Sequence, residues 1–213
     1  MYNVLLACDN EYYHKWTINC IKSIQFYVPW IDISVVIVNP TNIVEMPNVK
    51  YFYENKIFES ETSKIAYYQA VRFLKCSKIF ANNELVMSID CDTLLQSSFS
   101  QKDFLRICQN IHVQRHQKNI RWMAGLVTYG TDSLFRLRLT EELLKIPIER
   151  WGLGRDQDVL KILSEEFTFH PLYVGDWMSF GQGSGKFVTL KGDQKIADGY
   201  LNIYSKILSD IES

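Results

Sequence analysis

The 213-residue sequence has almost no charge imbalance: 23 lysines and arginines face 24 aspartates and glutamates, a formal net charge of −1. With a pI near 6.4, it lacks the basic excess of a general polyanion binder, which argues against nucleic acid as a partner. It also lacks any apolar run approaching the length of a membrane span, and residue 1 is not followed by a charged-then-apolar leader. The five cysteines (Cys8, Cys20, Cys76, Cys91 and Cys108) form no CxxC pair and leave an odd count. That pattern suits reduced thiols in a cytosol better than a disulfide framework. Repeats, low-complexity tracts and a convincing linker are missing too. Together these absences predict a soluble, cytoplasmic protein folded as one domain over 1–213. Hydrophobic residues, at 47%, supply a sizeable core.

Strand-like and helix-like patterns alternate along the first 95 residues. "VLLACD" (Val4–Asp9) is a short apolar run suited to a buried strand, and "ISVVIVN" (Ile33–Asn39) is a β-branched one closed by Asn39-Pro40. "VKYFYE" (Val49–Glu54) and "LVMSID" (Leu85–Asp90) read as the third and fourth strands. Between them, Tyr12–Tyr27 and Ser63–Phe80 space their apolar residues as helices do. Such alternation predicts an α/β fold, with a mostly parallel sheet covered by helices on both faces. Further on, Met123–Gly130 and Lys186–Leu190 read as strands. Thr131–Ile146, Asp156–Glu166 and the amphipathic Ala197–Ile211 read as helices. The locally basic His112–Trp122, "HVQRHQKNIRW", reads as a solvated face rather than an anionic-ligand or membrane-surface patch.

The chemistry concentrates in "VMSIDCDTLL" (Val86–Leu95), where two acids end an apolar strand. In a parallel sheet, ligands bind beyond the carboxyl ends of the strands. Period-two geometry would send Asp90 and Asp92 to one side and Cys91 to the other. Two adjacent carboxylates repel, and a divalent cation is the usual remedy. Hard oxygen ligands suit Mg²⁺ or Mn²⁺, with phosphate and water completing the shell. A pair of turn-forming or capping acids is the competing explanation, since aspartate is common after strands.

"RFLKCSKIFANNELVMSIDCDTLL" resembles the segment that carries the DxD motif in GT-A fold glycosyltransferases, nearest to the retaining group of glycogenin and bacterial galactosyltransferases. "ACDNEYY" resembles that family's A-x-D-x-x-Y turn, and "WMAGLVTY" its small-residue strand, with Met123 where an Asn usually stands. "GRDQDVL" (Gly154–Leu160) resembles its D-Q element, and "VTLKGDQK" (Val188–Lys195) has the spacing of H-x-x-G-x-x-K. The resemblance spans nearly the whole chain in the expected order. It implies a Rossmann-like GT-A domain whose residues 1–95 bind nucleotide and whose residues 96–213 serve acceptor and catalysis. The implied reaction moves a hexose from a nucleoside-diphosphate sugar, with uridine as the family default, to a carbohydrate, lipid-linked or protein acceptor. Retention of configuration is implied as well.

Residue by residue, the resemblance implies metal ligation by Asp90 and Asp92. It implies donor binding by Asp9, Tyr12, Arg72, Gly125, Gly192 and Lys195, and catalysis by Asp156 and Gln157, with Asp158 an alternative acid. Two departures stand out. Thr189 occupies the place of the family's metal-binding His, and the K-P-W ending is absent, because Ile196 and Ala197 follow Lys195.

Other readings are weaker. Arg72 as a surface helix arginine and Lys195 as a turn lysine are the bland alternatives to their donor roles. "GQGSGK" (Gly181–Lys186) is not a Walker A loop: its spacing is one residue short, Phe187 follows, and a strand pattern comes next. It reads instead as a flexible loop over the site. "DCDTL" resembles the haloacid-dehalogenase phosphatase motif, but its Thr comes one residue early. His112 and His116 have no acid at HExxH spacing, so zinc is not expected. His170 reads as a loop histidine, and Trp177 as core or an acceptor platform. The stronger alternative is a catalytically degenerate GT-A domain that binds a nucleotide sugar or a protein without transfer.

Overall fold

The computed structural model describes residues 1–115, 121–173, 175–180, 185–189 and 198–212. Among these, seven strands form one mixed sheet in the order β3-β2-β1-β4-β7-β6-β8. They are β1 (Tyr2–Asp9), β2 (Asp32–Val38), β3 (Val49–Glu54), β4 (Leu85–Ile89), β6 (His112–Arg115), β7 (Trp122–Thr128) and β8 (His170–Tyr173). The β3-β2-β1-β4 half is wholly parallel. Beyond it, β7 runs antiparallel to both β4 and β6, and β8 returns parallel to β6. A second sheet joins β5 (Thr93–Leu95), β10 (Phe187–Thr189) and β9 (Met178–Phe180). The expected mostly parallel sheet is therefore present.

The apolar runs become central strands because both faces of the sheet are covered. Alternate residues of β1 feed two cores. Val4 and Leu6 pack with Ile21 and Ile24 of α2 (Ile18–Tyr27) and with Phe104 of α4 (Gln101–Cys108). Leu5 and Ala7 pack with α3 (Glu61–Ile79), α5 (Ser133–Leu144) and α6 (Arg155–Leu163) through Ala70, Phe135 and Val159. Each such buried aliphatic or aromatic side chain contributes roughly 1.5–3 kcal/mol. Edge strand β3 is only partly buried, with Val49 and Tyr51 against one core and Phe52 against the other.

Caps set the helix boundaries. Ser60 caps α3 through Ser63 N–H (3.1 Å), and Asp132 starts α5 by accepting from Leu134 N–H (2.8 Å). Ser100 and Asp103 close a reciprocal capping box on α4. The expected Tyr12–Tyr27 helix is present with a π-helical turn inside it: a short α1 (Asn10–Tyr12), the π turn Tyr13–Thr17, then α2. The closing helix α7 (Asp198–Glu212) matches expectation to within a residue.

Two expectations for the fold are corrected, those for His112–Arg115 and His170, while core for Trp177 and reduced thiols agree with the sequence reading. His112–Arg115 is not a solvated face but an interior strand, with Val113 and Gln114 buried. Its single apolar residue gave no strand period. His170 opens β8 rather than a loop, and Pro171 is tolerated there because β8 is an edge strand. Trp177 is core, 7% exposed and packed on Phe99 at 5.0 Å between ring centroids. All five cysteines are buried free thiols.

Candidate functional site

β1 and β4 run parallel, so Asp9 and Asp90 emerge at the same edge of the sheet. There a cavity of about 500 Å³ opens, lined by Asp9 and Tyr12, by one face of α3, and by Asp90, Cys91, Asp92 and Thr189. That volume suits a small-molecule ligand. The α3 face consists of Glu61, Lys64, Ile65, Tyr68, Gln69 and Arg72, which recur at the i, i+3, i+4 spacing of a helix stripe.

Asp9 has a local task besides lining the cavity. Its Oδ1 accepts from Tyr12 N–H at 2.7 Å, capping the first helical turn and fixing where Tyr12 leaves the backbone. Beneath them, burial pushes the Cys8 thiol up to about 12. The cavity therefore holds no ready thiolate there.

Asp90 and Asp92 reach the cavity by a turn, which corrects the expectation of strand alternation. β4 ends at Ile89, and Thr93 N–H donates to Asp90 C=O at 3.2 Å, closing a tight turn over Asp90–Thr93. Period two no longer applies there, and Cys91, expected to point away, lines the same cavity.

Arg72 is neither a surface arginine nor exposed: only 4% of it is accessible. Its Nη1 pairs with Asp90 Oδ1 at 2.7 Å, and its Nη2 donates to Ala124 C=O at 2.7 Å. The carbonyl comes from a bulge in β7. One step on β6, Val113 to Gln114, spans Val127 back to Met123 on β7. The extra residues swing two carbonyls toward the site, and Gly125 C=O accepts from Asp90 N–H at 3.0 Å. A Cβ on Gly125 would stand 2.6 Å from Gln114 Oε1 and 3.2 Å from Asp90 Oδ2. Gly125 is thus required by close approach, and sequence reasoning missed the neighbour that imposes it. Gln114 is 1% exposed, and neither end of its amide has a hydrogen-bond partner.

Asp92 is held from the other end of the chain. Its Oδ1 accepts from Thr189 Oγ1 at 3.3 Å, and its backbone carbonyl accepts from Tyr204 Oη at 2.7 Å. Burial and then the Asp92 charge raise the Tyr204 hydroxyl far above its ordinary value, so it remains a donor.

Asp156 and Gln157 begin α6 after Gly154, whose φ of 81° lies in the left-handed region that glycine favours. Neither lines the cavity. Asp156 is 4% exposed, and its carboxyl is raised by burial, opposed by Arg72 and reinforced by Asp90. Its Oδ1 accepts from Gln157 N–H at 2.9 Å. Asp156 is thus coupled to the site through Arg72, while no cavity contact brings Gln157 in. Gly192 and Lys195 lie outside the described residues, as do His116 and residues 181–184 of the GQGSGK segment. Among the described residues, no three His, Cys, Asp or Glu side chains gather as a ready-made metal site.

No family model matches the sequence, and no curated protein matches it. Solved structures do match. The galactosyltransferase LgtC, crystallised with donor and acceptor sugar analogues, superposes with a TM-score of 0.66 at 12% identity, over 99% of this chain and 96% of LgtC. The glycosyltransferase GlyE of Streptococcus pneumoniae TIGR4 gives 0.64 at 11% identity, over 99% of this chain and 63% of GlyE. This chain has the GT-A glycosyltransferase fold. In the GT-A frame the cavity lies at the carboxyl edge of the parallel strands, where open α/β sheets bind ligands. Five of the expected site residues, Asp9, Tyr12, Arg72, Asp90 and Asp92, meet there, whereas Asp156 is coupled to them through Arg72.

Proposed function

We propose that the chain is a metal-dependent glycosyltransferase that moves a hexose from a nucleoside-diphosphate sugar, a uridine one by resemblance, to a sugar-bearing or other acceptor. The observation that carries this reading is the single cavity gathering Asp9, Tyr12, Arg72, Asp90 and Asp92 on a GT-A fold. In this reading 1–213 is one domain.

The cavity's charge argues for a cation. Among the described lining residues, five carboxylates (Asp9, Glu11, Glu61, Asp90 and Asp92) face Lys64 and Arg72, and Lys64 is already paired with Glu61 at 3.1 Å. A diphosphate would meet net repulsion there unless a divalent ion came with it. The donor atoms fit such an ion, because carboxylate oxygens with substrate phosphates are the usual ligands of Mg²⁺ and Mn²⁺. Asp90 and Asp92 would hold it, and when bound it would stabilise charge on the leaving diphosphate. Arg72 fixes Asp90 and balances the buried Asp156. Asp9 and Tyr12 would receive the nucleoside, with Gly125 leaving room beside Asp90. Gly192 and Lys195 are assigned to the diphosphate, and Asp156 and Gln157 to the transferring sugar, on the resemblance. Retention rests on the same ground.

Thermal-shift titration with UDP, with and without Mn²⁺, tests the site, and turnover of a nucleotide-sugar panel tests the reaction. Metal-dependent stabilisation and turnover, both lost in Asp92→Asn, support the transferase. A second reading, a GT-A domain that binds without transfer, is favoured by Gln157 not being among the cavity-lining residues described. Metal-dependent UDP binding with no turnover of any donor would select it.

A further inference from the structure

Among the described residues, Asp90 and Asp92 are held by different parts of the chain. Asp90 pairs with a buried guanidinium on α3, whereas Asp92 is contacted by two neutral hydroxyls from the C-terminal part of the chain. We propose that Thr189 and Tyr204 are positioning residues that set Asp92 for cation binding, Thr189 through its carboxylate and Tyr204 through its backbone carbonyl. This rests on the glycosyltransferase reading of the cavity.

Both contacts are built into the architecture rather than left to surface rotamers. Thr189 stands opposite Thr93 in the antiparallel β10-β5 pairing, so the strand that follows the Asp90–Thr93 turn is zipped to the strand that bears the hydroxyl. Gln96 N–H donating to Lys186 C=O at 2.9 Å extends that register. Thr189 is 2% exposed and lines the cavity. Tyr204 is 5% exposed, with its ring set edge-on to Trp16 at 5.8 Å between centroids. Its phenol ring is therefore packed before its hydroxyl reaches Asp92. α7 also packs along α2 on the nucleotide side of the molecule. The second sheet and α7 thus converge on one residue of the turn.

Hydrogen bonds that orient a ligating carboxylate typically change metal affinity 10- to 100-fold. The test measures Mn²⁺ binding in the presence of UDP, by loss of the free-ion electron paramagnetic resonance signal, in the full chain and four variants. Thr189→Val and Tyr204→Phe are each expected to weaken Mn²⁺ binding about tenfold, and Thr189→Ser to restore it to within about threefold of the native chain. Melting temperature is recorded alongside, because a purely structural role would lower it without moving the Mn²⁺ dissociation constant. Native-like Mn²⁺ affinity in both Thr189→Val and Tyr204→Phe overturns the proposal, provided Asp92→Asn abolishes binding. Thr189→Ser binding as poorly as Thr189→Val overturns the part assigned to the hydroxyl. If Asp92→Asn binds Mn²⁺ as the native chain does, the metal reading of the cavity fails, and this proposal with it.

Discussion

Asp90 and Asp92 are separated by one residue, yet the fold treats them as belonging to different regions. Asp90 is secured by charge: Arg72 sits on its carboxylate, and the Gly125 carbonyl accepts its N–H. Among the described residues, Asp92 meets hydroxyl donors on β10 and α7. A buried guanidinium that loses its partner is costly, whereas a lost hydroxyl contact removes about one ordinary hydrogen bond. The turn therefore has a stiff end and a compliant end. The stiff end is tied to the parallel half of the sheet, and the compliant end to the second sheet and the closing helix.

The largest expected effect comes from breaking the stiff end. Arg72→Met should cost about 3 kcal/mol in urea unfolding, the low end for a broken buried pair because the Asp90 side chain is 39% exposed and can hydrate. Next is crowding at the same end. Gly125→Ala drives a methyl group into Gln114 and Asp90, and a loss of about 2 kcal/mol is expected. Shortening the neighbour, in Gly125→Ala with Gln114→Ala, should recover part of it. If the double variant is no better than the single one, Gln114 is not what excludes a side chain there.

The compliant end should respond less. Tyr204→Phe is expected to lower stability by about 1 kcal/mol, and a loss as large as that of Arg72→Met would erase the contrast between the two ends. The smallest effect lies away from the turn. His112 donates from Nδ1 to Ile107 C=O (2.6 Å) and faces His170 at 5.2 Å between rings. Burial holds its imidazole below the ordinary 6.5; the Ile107 and Asn110 carbonyls oppose that shift, while His170 and Arg106 add to it. The unfolded chain then takes up a proton near 6.5 that the folded chain refuses. Stability from this group is fully present above that pH and is lost as pH falls through 6.5 toward the lower folded value. His112→Gln should flatten the dependence of unfolding free energy on pH in that window.

β1, β2 and β4 of the parallel half were legible because they are buried on both faces, which writes continuous apolar runs into the sequence. Asp9, Arg72 and Asp90 could be placed from the edge rule and the family resemblance together. The rest was written in weaker signals. β6 carries one apolar residue in four and is held by its neighbours rather than by its own pattern. β5 and β9 have three residues each, too few for a period. Of the α3 stripe, Arg72 was named through the resemblance, whereas Glu61, Lys64 and Gln69 are polar positions that apolar spacing does not mark. Gln114 left no local mark, and Tyr204 read only as part of the apolar face of the closing helix. Their roles come from a bulge and from packing between residues 112 positions apart, as for Tyr204 and Asp92.

Tyr204 also gives the protein an optical handle. Of its five tryptophans, Trp16 is the one whose ring meets Tyr204 among the described residues. Emission from that indole will depend on whether the phenol stays seated against it. A chain in which Trp16 is the sole tryptophan would therefore signal, in a stopped-flow trace with selective indole excitation and without any label, when α7 settles beside the turn and when it lets go.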